Sequence, residues 1–157
     1  MTDERTVREV LEALVRAENH GGAAAAETAA PLLHTGFVIT RASKLEQTKP
    51  DYLEGLEQAV SNPNNPLRWL DLADKSTASD LLESTPKTRP FSGSGIQVRG
   101  DTAVIRAVVT TRTRETPDTP SARYRNILLL VRKDKAEAKE WVVMFWQTAE
   151  ITDERFR

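Results

Sequence analysis

Residues 123–134, RYRNILLLVRKD, and 140–151, EWVVMFWQTAEI, decide how this chain folds. Ile127 to Val131 and Trp141 to Trp146 are apolar at every position, so each strand carries hydrophobic side chains on both faces. Strands of that kind are covered on both sides. A layer of helices covers one side. The other side calls for a second cover. A second copy of the chain is the expected one, packed sheet to sheet, because symmetric dimers are the commonest oligomers. The alternative within the chain is the segment 73–95 folding over that face.

Upstream lies a hairpin. Ile96 to Arg99 and Thr102 to Arg112 read as its strands, and Gly100-Asp101 as the two-residue turn. Ala103, Ile105, Ala107 and Val109 mark one buried face, while Val104 and Val108 share the other with Arg106, Thr110 and Arg112. Arg99-Gly100-Asp101 also matches a cell-adhesion tripeptide, but the turn accounts for it.

Further upstream the period changes from strand to helix. Val7, Val10, Leu11, Leu14 and Val15 form an apolar stripe at steps of three and four, with Asp3 and Glu4 at the positive end of the helix dipole and Gly21-Gly22 as the stop. An alanine-rich helix runs from about Ala23 to Ala30 and ends near Pro31. Phe37 to Thr40 reads as a short strand. A third helix starts near Thr48 and buries Tyr52, Leu53, Leu56, Ala59 and Val60. Asn62 to Pro66 is a loop and Leu67 to Leu72 a strand. Residues 73–95 are polar and rich in Ser, Thr and Pro, which reads as a loop insertion, either a mobile lid or an edge cover. Three early helices followed by antiparallel strands predict an α+β fold. The helices pack on one face of a curved, mostly antiparallel sheet.

The chain has 157 residues, 22 Lys and Arg against 23 Asp and Glu, two histidines and no cysteine. The length fits one domain over 1–157. Absence of cysteine removes disulfides, thiolate nucleophiles and cysteine-ligated zinc. The charge balance argues against a dedicated nucleic-acid binder. No apolar run approaches the roughly 18–20 residues of a membrane span, and the start Met1-Thr2-Asp3-Glu4 lacks a signal core, so the expected setting is the cytoplasm. No phosphate loop, nucleophile elbow or dinucleotide fingerprint is present, and no cofactor or metal is called for.

A few residues stand out as site candidates. His34, just before the first strand, is the best candidate acid or base because histidine titrates near neutrality. Tyr52, Trp69, Tyr124, Asn126, Trp146 and Gln147 combine apolar surface with polar tips, the composition of small-ligand pockets, with Trp146 read chiefly as core or dimer interface. Asn126 and Gln147 each interrupt an apolar strand with an amide that needs partners if buried. Residues 99–133 hold eight cations against Asp101, Glu115 and Asp118, a net charge of +5. This basic span reads chiefly as a solvated hairpin surface, with Arg106 and Tyr124 the members best placed to face a partner or pocket.

The order of VLEALVRAENHGG (10–22), LLHTGFVITR (32–41), VRGDTAVIRAVVTTR (98–112) and the two closing strands resembles the nuclear transport factor 2-like superfamily, a cystatin-like cone. It is most similar to the small branch of unknown function related to ketosteroid isomerase and polyketide cyclases. The resemblance implies a pocket in the mouth of the cone and frequent dimerisation. It also places Thr40 where the isomerase branch has its aspartate base. Ile127 to Leu130 fall where that branch has a second acid, so both carboxyl groups of that chemistry are absent. The resulting expectation is a homodimeric domain that binds a small apolar or weakly acidic molecule without assignable catalysis. The alternatives are a lyase, isomerase or cyclase using His34 or a pocket tyrosine, and a homodimeric association module.

Overall fold

The stripe Val7, Val10, Leu11, Leu14 and Val15 forms the inward side of helix α1 (Asp3–His20), and all five side chains are buried. Each such burial contributes about 1.5–3 kcal/mol. The structure is a computed structural model in which residues 3–62, 64–71, 95–116, 120–134 and 139–151 are described. The 73–95 insertion therefore lies outside the described residues except for Gly95. The carbonyl of Gly95 accepts a hydrogen bond from the Arg106 amide at 2.6 Å.

Gly21 ends α1 with φ +67°, and its amide donates to the Ala17 carbonyl at 2.8 Å. A β-carbon there would lie 2.6 Å from the Val60 amide nitrogen, so α1 closes against the end of the third helix only because position 21 has no side chain. Helix α2 (Ala23–Ala29) follows, buries Ala25 and Ala29, and gives way to a single 3-10 turn at Ala30–Leu32 that contains Pro31. Helix α3 (Lys49–Ala59) begins at Thr48. The Asp51 carboxylate there accepts from the Thr48 amide at 3.4 Å and its hydroxyl at 3.0 Å.

The strands are β1 (Leu33–Thr40), β2 (Glu46–Thr48), β3 (Leu67–Asp71), β4 (Ile96–Arg99), β5 (Thr102–Arg112), β6 (Pro120–Asp134) and β7 (Lys139–Glu150). They form one seven-stranded sheet in the order β2-β1-β7-β6-β5-β3, with β4 also paired to β5. β1 runs parallel to β7 and every other pairing is antiparallel. The expected α+β architecture is present: three helices against a curled, mostly antiparallel sheet. The predicted hairpin is present too, with Arg99 opposite Thr102 and Gly100 at φ +59°.

The sequence reading does not foresee β2, and it starts β6 at Tyr124 rather than Pro120 and β7 at Trp141 rather than Lys139; the boundary that matters for the site is that of β1. β1 starts at Leu33 rather than Phe37, so His34 lies inside the strand. Register shifts between Leu33, opposite Val143, and Val38, opposite Phe145, leaving 34–37 as an irregular stretch. The polar residues His34-Thr35-Gly36 look like a turn in sequence, and the pairing passes over them as a bulge.

The inner face of the sheet carries Ala103, Ile105, Leu128, Leu130, Val143 and Trp146, all buried beneath α1 and its neighbours. The outer face is a different surface. Val38, Phe145, Leu129 and Val104 stand in one row across β1, β7, β6 and β5. Val38, Leu129 and Val104 are half-buried and Phe145 is 36% exposed.

Candidate functional site

Glu18 occupies the next position on the apolar stripe of α1, one turn beyond Leu14 and Val15, so the helix carries a carboxylate into the interior at its C-terminal end. A buried carboxylate is costly unless paired and hydrogen-bonded. Arg68 of β3 places Nε 2.8 Å from Oε2. The Tyr52 hydroxyl of α3 donates to Oε1 at 2.8 Å. Arg41, just past β1, approaches Oε1 at 3.6 Å. Burial pushes the Glu18 carboxyl up, but the charges of Arg68 and Arg41 and the Tyr52 hydrogen bond outweigh it and hold the group below its ordinary value of 4.5. Tyr52 moves well above 10.0, first because it is buried and then because the Glu18 charge opposes ionisation.

Arg68 is locked. Its guanidinium also donates to the carbonyls of Glu18 at 3.2 Å and Pro66 at 3.0 Å and to Asn65 Oδ1 at 3.1 Å. Its backbone lies on the side of β3 that has no further strand among the described residues. There Asn19 accepts from the Arg68 amide at 2.7 Å and donates to the Arg68 carbonyl at 3.0 Å. Arg114 donates to the carbonyls of Asn65, at 2.9 Å, and Asn19. The last carbonyls of α1 are thus met by cations, as the negative end of a helix favours. Arg41 is looser. Its Nε donates to Gln47 Oε1 at 3.1 Å, its guanidinium stands 5.3 Å from the Tyr52 ring centroid, and 34% of its side chain is exposed.

This cluster forms the polar wall of a cleft of about 310 Å³ between the end of α1 and the inner face of the sheet. Val15, Val109 and Trp146 supply the apolar part of the lining, with Tyr124 and Asn126 opposite. Glu18, Arg41 and Arg68 also border a second hollow of about 670 Å³ beside α3.

Of the residues singled out in the sequence, Tyr124, Asn126 and Trp146 line the cleft. Asn126 is buried and bonded at both amide atoms: Oδ1 accepts from Trp146 Nε1 at 2.8 Å and Thr148 Oγ1 at 3.2 Å, and Nδ2 donates to the Tyr124 carbonyl at 3.1 Å. The Tyr124 hydroxyl has no partner among the described residues. Tyr52 sits behind the cleft, in the core, with Phe37 and Trp146 rings at 5.5 and 6.0 Å. Thr40, Gln147 and Arg106 do not join them. They share a row on the outer face, Thr40 opposite Gln147, Gln147 opposite Ile127 and Ile127 opposite Arg106. Strand alternation sends them to the side opposite Asn126 and Trp146. His34 lies in the β1 bulge, bordering a separate hollow with Lys49 and Arg132, and its Nδ1 accepts from the Gly36 amide at 2.9 Å. The backbone of Trp69 lies in β3, and its side chain is outside the described set. Glu18, Arg41 and Arg68 escaped the sequence reading. Glu18 alone carried a signal, a charge in register with a buried stripe. No three acidic or histidine side chains among the described residues form a metal-holding group.

Helices capping a curled sheet, with a mixed polar and apolar cleft at the open end, define an α+β cone. The chain has the nuclear transport factor 2-like, or cystatin-like, fold. It superposes on a domain of unknown function with a cystatin-like fold from Nostoc punctiforme with a TM-score of 0.70 and 9% identity, over 99% of this chain and 83% of that one. A nuclear transport factor 2-like protein from Cytophaga hutchinsonii gives 0.60 at 14% identity, over 96% and 100%. A candidate calcium/calmodulin-dependent protein kinase type II association domain from Thiobacillus denitrificans gives 0.64 at 7% identity, over 97% and 100%. No protein-family model and no curated protein sequence matches the chain. No helix among the described residues is long and apolar enough to cross a membrane.

Proposed function

We propose that the protein binds a small, largely apolar molecule with an acidic group in the cleft, and that it does so as a homodimer. The observation that carries the binding reading is the charge count at the cleft wall. Two guanidinium groups meet one carboxylate, so a positive charge is left over beside an apolar lining. Arg41 is the group able to answer a ligand, because it is partly exposed and its 3.6 Å approach to Glu18 is the weakest contact of the cluster. Arg68 is consumed by Glu18 and by backbone carbonyls. The free Tyr124 hydroxyl supplies a second hydrogen bond.

A binding role fits these residues better than proton transfer. Both oxygens of Glu18 are occupied and the acid is held ionised, which makes it a poor base. His34 borders another hollow. The dimer reading rests on the half-covered apolar row of the outer face, and the likeness to an association domain supports it.

Calorimetric titration with small aromatic and aliphatic carboxylates, each beside its neutral amide, tests the binding. The acids are expected to bind and the amides to bind at least tenfold more weakly. Arg41→Gln is expected to remove the difference, since a hydrogen bond to a charged group is worth about 1.5–3 kcal/mol. Equal binding of acids and amides, or binding of neither, overturns the reading.

A further inference from the structure

The second basic feature of the molecule lies far from the cleft. Tyr124 and Arg132 stand near opposite ends of β6, separated by roughly 26 Å along the strand at about 3.3 Å per residue. At the Arg132 end, the β1 bulge, the first turn of α3 and the ends of β6 and β7 enclose a hollow of about 200 Å³. At about 30 Å³ per water molecule, that is room for roughly seven waters, or one compact ligand. Its floor is apolar, made by Leu33, Val131 and Val142. Its polar lining is basic, from His34, Lys49, Arg132 and Lys133, and includes no carboxylate.

The donors of this hollow are arranged by the fold. The Lys49 ammonium donates to the Leu33 carbonyl at 2.9 Å, which anchors it across from the bulge and leaves two N–H groups over. His34 Nδ1 accepts from the Gly36 amide, so the hydrogen of the neutral ring sits on Nε2 as a donor. Lys133 is exposed and has no ion-pair partner among the described residues. Arg132 is neutralised by Asp3 at 2.6 Å and rests 4.7 Å from the Trp141 ring centroid. Its Nε is buried without a partner. Two ammonium groups and an imidazole N–H therefore border one small cavity whose lining holds no carboxylate, the nearest acids being Asp3 on Arg132 and Glu140 opposite Lys133 in β7. Part of the +5 charge of residues 99–133 thus has a place in the structure, joined by Lys49 and His34 from the other side of the chain.

We propose that this hollow is a binding site for a tetrahedral oxyanion, a phosphate monoester whose phosphate meets Lys49, Lys133 and His34 Nε2 and whose first carbons lie on Leu33, Val131 and Val142. Lysines serve phosphate as mobile point charges, which suits three donors drawn from three separate elements. The site is independent of the acid-binding cleft and stands or falls without it.

Heteronuclear NMR titration with inorganic phosphate and with phenyl phosphate tests this. Saturable shifts of the backbone amides of residues 33–36, 49 and 131–133 are expected with both, with phenyl phosphate the tighter because the floor is apolar. Lys133→Glu, an exposed change, is expected to weaken binding at least tenfold. A double variant, His34→Gln with Lys49→Gln, is expected to abolish it, and Arg41→Gln to leave it unchanged. Equal affinity for the two probes overturns the monoester assignment and leaves a site for the bare anion. Shifts that do not saturate, or binding that survives Lys133→Glu, overturn the site altogether.

Discussion

Glu18 is the residue on which the open end of the cone depends. Replacing it by Ala leaves Arg68 facing an emptied wall, and breaking a buried pair from one side costs about 3–5 kcal/mol. Urea denaturation at neutral pH is expected to show a loss of that size. Tyr52→Phe removes only the donor to Glu18 and is expected to cost about 1.5–3 kcal/mol by the same measurement. The carboxyl is held below 4.5 when folded, so its contribution is complete above the unfolded value and disappears as pH falls through the folded one. Stability is expected to decline as the pH drops below about 4.5, and Glu18→Gln is expected to flatten that decline. An unchanged acid limb in Glu18→Gln would show that other carboxylates set it. Sequence made half of this site legible. Asn126 stood out because an amide in an apolar strand must be partnered, and it is. Glu18 kept the spacing of the α1 stripe, a usable sign that went unread. Arg41 and Arg68 gave no sign, because Arg68 reaches Glu18 from 50 residues away in sequence and arginines at strand ends are ordinary.

Elements were easier to read than contacts, because periodicity is local and pairing is not. The apolar stripe of α1, the Thr48 start of α3 and the Gly100 turn all sit where their own residues require. The start of β1 did not read, since a bulge is decided by the strand beside it, here β7. Its cost fell on His34, which looked like a residue at the mouth of the cone and instead lies with Lys49 and Arg132. The edge of β3 is the element most exposed to a single change. Asn19 satisfies both backbone groups of Arg68 there, a role invisible without the fold. Asn19→Ala would leave a part-buried amide and carbonyl unpaired, at about 1–3 kcal/mol. Amide exchange is expected to quicken at Arg68 and in the β5 residues facing β3, while the far end of the sheet keeps its protection. Uniform acceleration across all strands would mean that β3 does not open separately.

Over the whole molecule the two faces of the sheet carry different duties. The inner face meets α1 and ends at the cleft. The outer face carries the row Val38, Phe145, Leu129 and Val104, flanked by the polar row of Thr40, Gln147 and Arg106. An apolar centre with a polar margin is the anatomy of a protein interface. If two copies meet there, a two-fold axis brings each side chain near its counterpart, so one acidic substitution introduces two like charges into a dry contact. Phe145→Glu is the suitable probe. Phe145 is 36% exposed in the single chain, so the change spares the core while striking the centre of the row. Light scattering at micromolar concentration is expected to give a dimer for the native chain and a monomer for Phe145→Glu, with far-UV circular dichroism unchanged. Arg41 and Tyr124 lie on the inner side, and sites that share no partners behave independently. The monomeric variant is therefore expected to bind small acids with an affinity within about twofold of the native protein. A native monomer would end the dimer reading, and the outer row would then need its cover from within the chain. A dimer whose dissociation also abolishes acid binding would mean that the cleft is completed by the partner copy.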